Sequence, residues 1–389
     1  MDIALNDFFK PVLKSLPKLL PNFLSKFGSQ FSIGLDLGLS RLNLVQMENA
    51  GNRVSIRAIA SLPYPCPRDE LYQHPEKLKA LLKQAYAMQA FKGKRVVSCL
   101  PAEQLKIITV SYKHSEGQQD AVSIVAELRE RLQGELDEMV VDFITLRQEG
   151  TESGKREALV AMAPRKRVLA YLDLLTSAGL SVDALDIGSA ALARLVRHTG
   201  AIHTPEFPLG PNVLLVNFGA ESSFLTVIWG RRLMLDRIVE FSENRIFSRL
   251  KQILGMSKEL AIHLIYEKYP HNQGANQDSC MSESDKMIED ILRPDISQLL
   301  QEINKTLVYM ASKTRGKSVD KIYLTGRVAR YSGILKLLRE QLQVPVELLD
   351  PTLIFASEKS NAVIENNLGT LAGIAMTTGL ALRGVPENE

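Results

Sequence analysis

What this 389-residue sequence has little of narrows its possibilities first. No apolar run approaches the ~20 residues that a bilayer-crossing helix needs, so a membrane span is excluded. A secretory leader is a poor match: the acids Asp2 and Asp7 stand in the opening stretch, and Lys10, Lys14 and Lys18 interrupt its apolar residues. Cysteine is scarce. Cys66, Cys99 and Cys280 lie far apart with no CxxC pair, which excludes a disulfide framework or zinc knuckle and fits a reducing, cytoplasmic compartment. The six histidines include no HExxH and no close pair, so no metal centre is expected, and His263 reads as a surface or half-buried helix residue. Neither a GxSxG elbow nor a recognisable Cys-His arrangement is present, so no catalytic residue is expected. The net charge of +3 is small and no basic stripe alternates with aromatics, which argues against nucleic acid as a partner. Trp229, the only tryptophan, is expected at a hairpin tip before Gly230 as a packing residue.

What is present is a soluble globular composition, 45% hydrophobic and 23% charged. The length exceeds one ordinary core, so two lobes are expected. Residues 1–30 differ from the rest. Phe8, Phe9, Val12, Leu13, Leu16, Leu19, Leu20, Phe23, Leu24 and Phe27 recur near helical spacing with lysines between them, while Pro11, Pro17 and Pro21 forbid one long helix. Such a segment could lie on an anionic membrane surface through residues 1–28, or dock on its own domain or a partner.

Order is expected from Phe31. FSIGLDL, RLNLVQM and RVSIRAIASL predict a three-stranded meander, followed by a helix in PEKLKALLKQAYAM and a strand in RVVSCLP. Residues 119–135 predict an amphipathic helix, VVDFITLRQ and REALVAMA two strands, RKRVLAYLDLLTSAG a helix and LSVDALDIGS a strand. The prolines of 199–211 mark a crossing between lobes. The pattern then restarts: NVLLVNFG, SSFLTVIWG and RRLMLDRIVEF, then helices in FSRLKQIL and KELAIHLIYEKY. A polar stretch at 270–284 precedes a long helix from about Asp285 to Lys313, the strand DKIYLTG, the helix SGILKLLREQLQ and a last small-residue helix at 366–382. Two strand-strand-strand-helix units of similar layout form an internal repeat of pattern.

Three glycine-bearing turns follow apolar strands. The first is Ile33-Gly34-Leu35-Asp36-Leu37-Gly38-Leu39-Ser40 and the second Leu215-Val216-Asn217-Phe218-Gly219-Ala220-Glu221-Ser222-Ser223. The third is Tyr323-Leu324-Thr325-Gly326-Arg327-Val328-Ala329. Backbone N–H groups in such turns bind anions, and an aspartate there can hold magnesium or a bridging water. A Walker-like string at Ala311–Ser318 runs from a helix end into a strand, opposite to the order phosphate binding requires, and is better read as a helix C-terminus.

With the duplicated meander, these turns resemble those of the actin, sugar kinase and Hsp70 superfamily. Closer detail resembles the PilM/MshI family of type IV or mannose-sensitive haemagglutinin pilus biogenesis proteins, within the FtsA-like group. The carrying segments are LPAEQLKIITV through SAALARL, ILRPDISQLLQEINKTLVYM and TTGLALRGV. The resemblance covers about 31–384 and implies an α/β, two-lobed actin-like (ribonuclease H-like duplicated) fold with an FtsA/PilM-type 1C subdomain. It implies lobe one at 31–205 with the 1C subdomain at about 98–186, lobe two at 206–365, and a C-terminal helix returning to lobe one within 366–389.

The family's nucleotide cleft would here involve Gly34, Asp36, Gly38, Ser40, Asn43, Asn217, Gly219, Ser222, Glu243, Gly326 and Arg327. Four positions depart from the pattern. Asn43 replaces a lysine, Asn217 an aspartate, Ser242-Glu243 a Gly-Gly pair, and Arg327 the second glycine of the adenosine turn. The first change removes a charge from the phosphates and the second one that magnesium would want. Glu243 and Arg327 bring a carboxylate and bulk to the base side. Magnesium-ATP is thus the cofactor the fold implies and the four departures oppose; Asp36 alone keeps the expected chemistry, or caps the hairpin. Arg327 is alternatively expected to pair with Glu243 or Asp36 as a structural ion pair.

The resemblance implies a non-catalytic cytoplasmic scaffold, peripheral to the inner membrane, that binds the cytoplasmic N-terminal peptide of a bitopic PilN-like protein. The peptide would lie in a groove between the 1A and 1C regions, near Arg95–Pro101 and elements of 119–186. Pilus motor ATPases and a homo-oligomer are further implied associations. The alternatives are an ATP-binding nucleotide switch or weak ATPase resting on Asp36, Gly38, Ser40 and Gly219, and an FtsA-like membrane-tethered division protein, which the polar ending PENE fits poorly.

Overall fold

The computed structural model describes residues 31–50, 53–114, 117, 119–132, 135–146, 155–198, 211–230, 232–267, 283–355, 373–383 and 385. The amphipathic segment 1–30, the crossing at 199–210, the polar stretch at 270–282 with Cys280, and the first part of the expected last helix lie outside them. The chain divides into two compact units, Met1–His198 with Thr352–Asn367 and Met376–Glu389, and Thr199–Pro351 with Leu368–Ala375.

The first unit opens with the expected meander: β1 (Ile33–Leu37), β2 (Arg41–Ala50) and β3 (Arg53–Pro63). Then come α1 (Pro75–Met88), β4 (Arg95–Cys99), β5 (Lys106–Lys113), α2 (Asp120–Leu132), β6 (Met139–Leu146), β7 (Lys155–Pro164), α3 (Arg165–Ser177), β8 (Ser181–Asp186) and α4 (Gly188–His198). The main sheet has the order β3-β2-β1-β4-β8, antiparallel across the meander and parallel from β1 through β4 to β8. All five residues of β1 are buried, as a central strand covered on both faces requires. α1 starts with Pro75 at a position where the missing N–H costs nothing, and turns Leu78, Leu81, Leu82 and Ala85 inward at i, i+3, i+4 and i+7.

The buried Gln46 ties the start of the sheet together. Its side-chain amide donates to the carbonyls of Phe31 (3.1 Å) and Lys92 (2.8 Å), and its Oε1 accepts from the Lys92 N–H at 2.8 Å. It sits beside a β-bulge in the β2–β3 ladder. Residues Thr352–Phe355, which the sequence reading puts in the second lobe, group with the first unit. The reason is local: Ile56 of β3 donates its N–H to the Phe355 carbonyl at 3.4 Å, and Phe355 is buried.

A separate three-stranded antiparallel sheet has the order β5-β7-β6. One face carries Val110, Tyr112, Ala158, Val160 and Met162 against Ile124 and Leu128 of α2. The period of two along the strands leaves the other residues on the opposite face.

The second unit repeats the plan. β9 (Val213–Phe218), β10 (Ser223–Trp229) and β11 (Arg232–Val239) form a meander, and β12 (Lys321–Thr325) and β13 (Val346–Leu348) continue it in parallel. The order β11-β10-β9-β12-β13 copies the first main sheet strand for strand, so the repeat of sequence pattern is a repeat of topology. Between the strands lie α5 (Glu243–Leu254), α6 (Lys258–Ile262), α7 (Glu283–Lys313) and α8 (Ser332–Gln341). Ser242 caps α5 by accepting the Arg245 N–H, and Gly255, at φ 63°, closes it. Asp295 of α7 accepts from Arg245 and Arg249 at 2.7 Å each, joining α5 to α7. Trp229 is half-buried and packs on this core. KELAIHLIYEKY departs from a single helix: α6 is followed by a five-residue π-turn, His263–Glu267. α9 (Ala375–Ala381) lies within the expected last helix.

Candidate functional site

In the first unit the β1–β2 turn is built around Asp36, which the ladder places opposite Asn43. Asn43 Nδ2 donates to Asp36 Oδ2 at 3.0 Å. Asn43 Oδ1 accepts from Ser61 Oγ at 2.7 Å, and Ser61 Oγ accepts from Arg41 Nε at 2.9 Å. Asn43 is therefore bound into a polar chain running from Arg41 to Asp36. Burial pushes the Asp36 carboxyl up to about 6, against the pull of the Asn43 bond and the positive charge of Arg68. Cys99 Sγ lies 4.0 Å from it, and Arg68 is ion-paired with Glu103.

The glycines of this turn do different work. A side chain on Gly34 would stand 2.1 Å from the Thr377 carbonyl and 2.7 Å from the Ala381 N–H, so Gly34 admits the backbone of α9 onto β1. Gly38 is less confined, its nearest such neighbour being the Arg41 carbonyl at 3.2 Å. Ser40 is exposed, and its carbonyl accepts from the Tyr64 N–H at 3.1 Å.

In the second unit Asn217 stands at the end of β9, in register with Phe224 and Thr325. The turn from Gly219 to Ser222 is so tight that a Cβ on Gly219 would lie 2.3 Å from the Ser222 carbonyl. That turn also fills the start of α5. Gly219 O accepts from the Glu243 N–H (3.1 Å), Ala220 O accepts from the Asn244 N–H (3.0 Å), and Ser242 Oγ accepts from the Arg245 N–H. Helix-start amides that elsewhere meet a phosphate are here bonded within the protein.

Gly326 has φ 90°, and a Cβ there would lie 2.2 Å from the Phe218 carbonyl, so only glycine lets this turn rest on the end of β9. Arg327 follows and turns to Glu243. Its guanidinium lies 3.3 Å from Glu243 Oε1 and 4.6 Å from the centre of the Tyr266 ring. Tyr266 donates its hydroxyl to the same Oε1 at 2.9 Å. Burial and the adjacent Glu243 push the Tyr266 phenol well above its usual range, so it stays a donor. Of the two structural partners expected for Arg327, the structure selects Glu243.

A different site lies on the opposite face of the three-stranded sheet, the one turned from α2. Register pairs Val140 with Ala163, Asp142 with Ala161 and Ile144 with Leu159, all pointing to one side. Leu100, Leu105, Val168, Leu185 and Ile187 complete an apolar groove between this sheet, α3 and the carboxyl ends of β4 and β8. At its end Asp186 accepts from Arg194 (2.8 Å) and the Ile187 N–H (2.9 Å), and Arg383 stands 3.0 Å away. Burial would raise the Asp186 carboxyl, but these two arginines outweigh it and hold it below the usual carboxylate range. β6 has β7 on one side only among the described residues. Its edge is open.

The structure thus gathers Gly34, Asp36, Gly38, Ser40 and Asn43 in one turn region, and Asn217, Gly219, Ser222, Glu243, Gly326 and Arg327 in another. Sequence reasoning missed Tyr266, whose place depends on the π-turn, and Asp142, which reads as an ordinary strand acid. The Walker-like string is a helix end: Gly316 N–H bonds to Ala311 O (2.8 Å) after Arg315 at φ 55°, so the carbonyl end faces this loop. Among the described residues no group of histidine, cysteine and carboxylate side chains could hold a metal ion, and no helix is long and apolar enough to cross a membrane.

Among solved structures, the chain matches a PilM-PilN type IV pilus biogenesis complex with TM-score 0.70 and 24% identity, covering 92% of this chain and 100% of that one. It also matches ethanolamine utilization protein EutJ from Carboxydothermus hydrogenoformans with TM-score 0.52 and 12% identity, covering 94% and 91%. With the duplicated strand order, these likenesses give an actin-like α/β fold. The family model for type IV pilus assembly protein PilM matches residues 34–385, and the chain belongs to the PilM family.

Proposed function

We propose that this chain is a non-catalytic scaffold at the cytoplasmic face of the inner membrane in a type IV or MSHA pilus assembly platform. It holds the cytoplasmic N-terminal peptide of a bitopic PilN-like partner in the groove of the first unit. The observation that carries this reading is the groove itself: an apolar sheet face beside an edge of β6 that is unpaired among the described residues suits an extended peptide, which gains main-chain hydrogen bonds and seats alternate side chains. The match to a PilM-PilN complex supports the same partner.

Scaffolding needs no hydrolysis, and the polar groups of both turns support its absence. Asn43 is committed to Asp36, the amides of Glu243 and Asn244 to the second turn, and Arg327 to Glu243 and Tyr266. The nucleotide-switch alternative keeps only Asp36, Gly38, Ser40 and Gly219.

Calorimetry of the full chain tests the reading, with magnesium-ATP and with a synthetic peptide copying the partner's cytoplasmic tail. Saturable peptide binding, abolished by Ile144→Lys, with no heat from ATP is the expected result. Magnesium-dependent ATP binding without peptide binding would overturn it in favour of the switch.

A further inference from the structure

The groove holds one group that its apolar lining does not explain. Asp142 lies on β6 between Val140 and Ile144, facing the same side, with Ala161 opposite. Its Oδ1 accepts the N–H of its own neighbour Phe143 at 2.7 Å. Among the described residues no ion pair reaches the Asp142 carboxylate. Arg383, the cation whose field extends to it, is itself 3.0 Å from Asp186. A half-buried anion in an apolar groove is costly unless an opposite charge meets it.

We propose that Asp142 is a specificity residue that reads one cationic side chain, lysine or arginine, in the otherwise apolar extended peptide occupying the groove; this rests on the peptide-groove reading above. An added strand presents alternate residues to the same face. The basic residue therefore stands in register with Asp142, and the residues two before and two after it are apolar, meeting Val140 and Ile144. A neutral donor such as asparagine could bond the same oxygen but would leave its charge uncompensated. A carboxylate at that position would be rejected.

Burial raises the Asp142 carboxyl to about 6, with the Asp186 charge adding to the rise and the Phe143 N–H and Arg383 opposing it. A cationic partner favours the ionised form. Affinity is then greatest above pH 6 and falls as the pH drops through that value.

The test is calorimetry on the full chain with a synthetic peptide copying the cytoplasmic tail of a PilN-like protein. A parallel series replaces each basic residue of the peptide by norleucine. One replacement is expected to weaken binding about 10- to 100-fold, the range for a hydrogen bond to a charged group. Asp142→Asn, isosteric and checked by thermal melting, should lose a similar factor with the parent peptide and almost nothing further with the replaced one. Its affinity should also no longer fall below pH 6. Asp142→Asn binding every peptide as the wild type does, or a norleucine series without effect, would overturn the proposal while leaving the groove reading intact. The peptide changes keep the test informative even if Asp142→Asn fails to fold. A parent peptide that does not bind, or that binds Ile144→Lys as well as the wild type, would overturn the groove reading and the proposal with it.

Discussion

Arg327 sits 3.3 Å from Glu243 in the second unit, and the pair is closed from one side by the Tyr266 ring and hydroxyl. Arg327 is thereby made part of the packing of this turn. Arg327→Ala leaves the buried Glu243 with the Tyr266 hydroxyl alone. The arginine is partly exposed, so the expected cost is about 1–2 kcal/mol, below that of a fully buried pair. Urea denaturation should show a lower midpoint with an unchanged slope, and Tyr266→Phe should cost about 1 kcal/mol through the lost hydrogen bond.

Asp36 gives a pH-dependent expectation. Its folded carboxyl is raised from 3.8 to about 6, so the folded state takes up a proton more readily than the unfolded chain. Burying the charge thus destabilises the protein above pH 6, a penalty that fades as the pH falls from about 6 to 4. The displacement corresponds to at most about 3 kcal/mol at neutral pH. Asp36→Asn should therefore stabilise the chain at pH 7.5 and change it little at pH 4, as read from melts at both pH values. Equal effects at the two pH values would count against this account.

Asp186 behaves in the opposite sense. Its carboxyl is held low, so its contribution is present above the unfolded carboxylate range and is lost as the pH falls through the depressed folded value. Arg194→Met removes one of its two arginines and the bond to the Gly379 carbonyl. A loss of about 3 kcal/mol is expected at pH 7, shrinking in acid, measurable by urea titration across pH 3–7.

The two glycines of the first turn should separate cleanly. Gly34→Ala puts a methyl within 2.1 Å of the α9 backbone and should destabilise by more than about 2 kcal/mol. Gly38→Ala meets nothing closer than 3.2 Å and should cost about 1 kcal/mol or less. Chemical denaturation of both variants checks the contrast.

These sites show what the sequence could reveal. The strands and helices were legible because alternation in RVSIRAIASL and the spacing of Leu78, Leu81, Leu82 and Ala85 report burial directly. The duplicated sheet followed from the restarted meander. Other features depend on partners distant in the chain. Gly34 looks like half of a phosphate turn until α9, over 340 residues later, is seen on it. The three residues of β13 are too few for a period. Tyr266 reaches Glu243 only because the chain widens to a π-turn there. The groove depends on the register of β6 against β7, since a one-residue slip would turn Asp142 to the α2 side.

That β6 pairs on one side only among the described residues has a consequence for the protein's life in the cell. A strand with free main-chain groups beside an apolar face will accept any extended segment that reaches it, including the same strand of another copy. The Asp142 carboxylate, which accepts the Phe143 N–H, is one guard against that. On the proposed reading, chain produced in excess of its partner should be prone to aggregation and proteolysis, so that its steady-state abundance follows that of the protein whose tail is proposed to cover the edge.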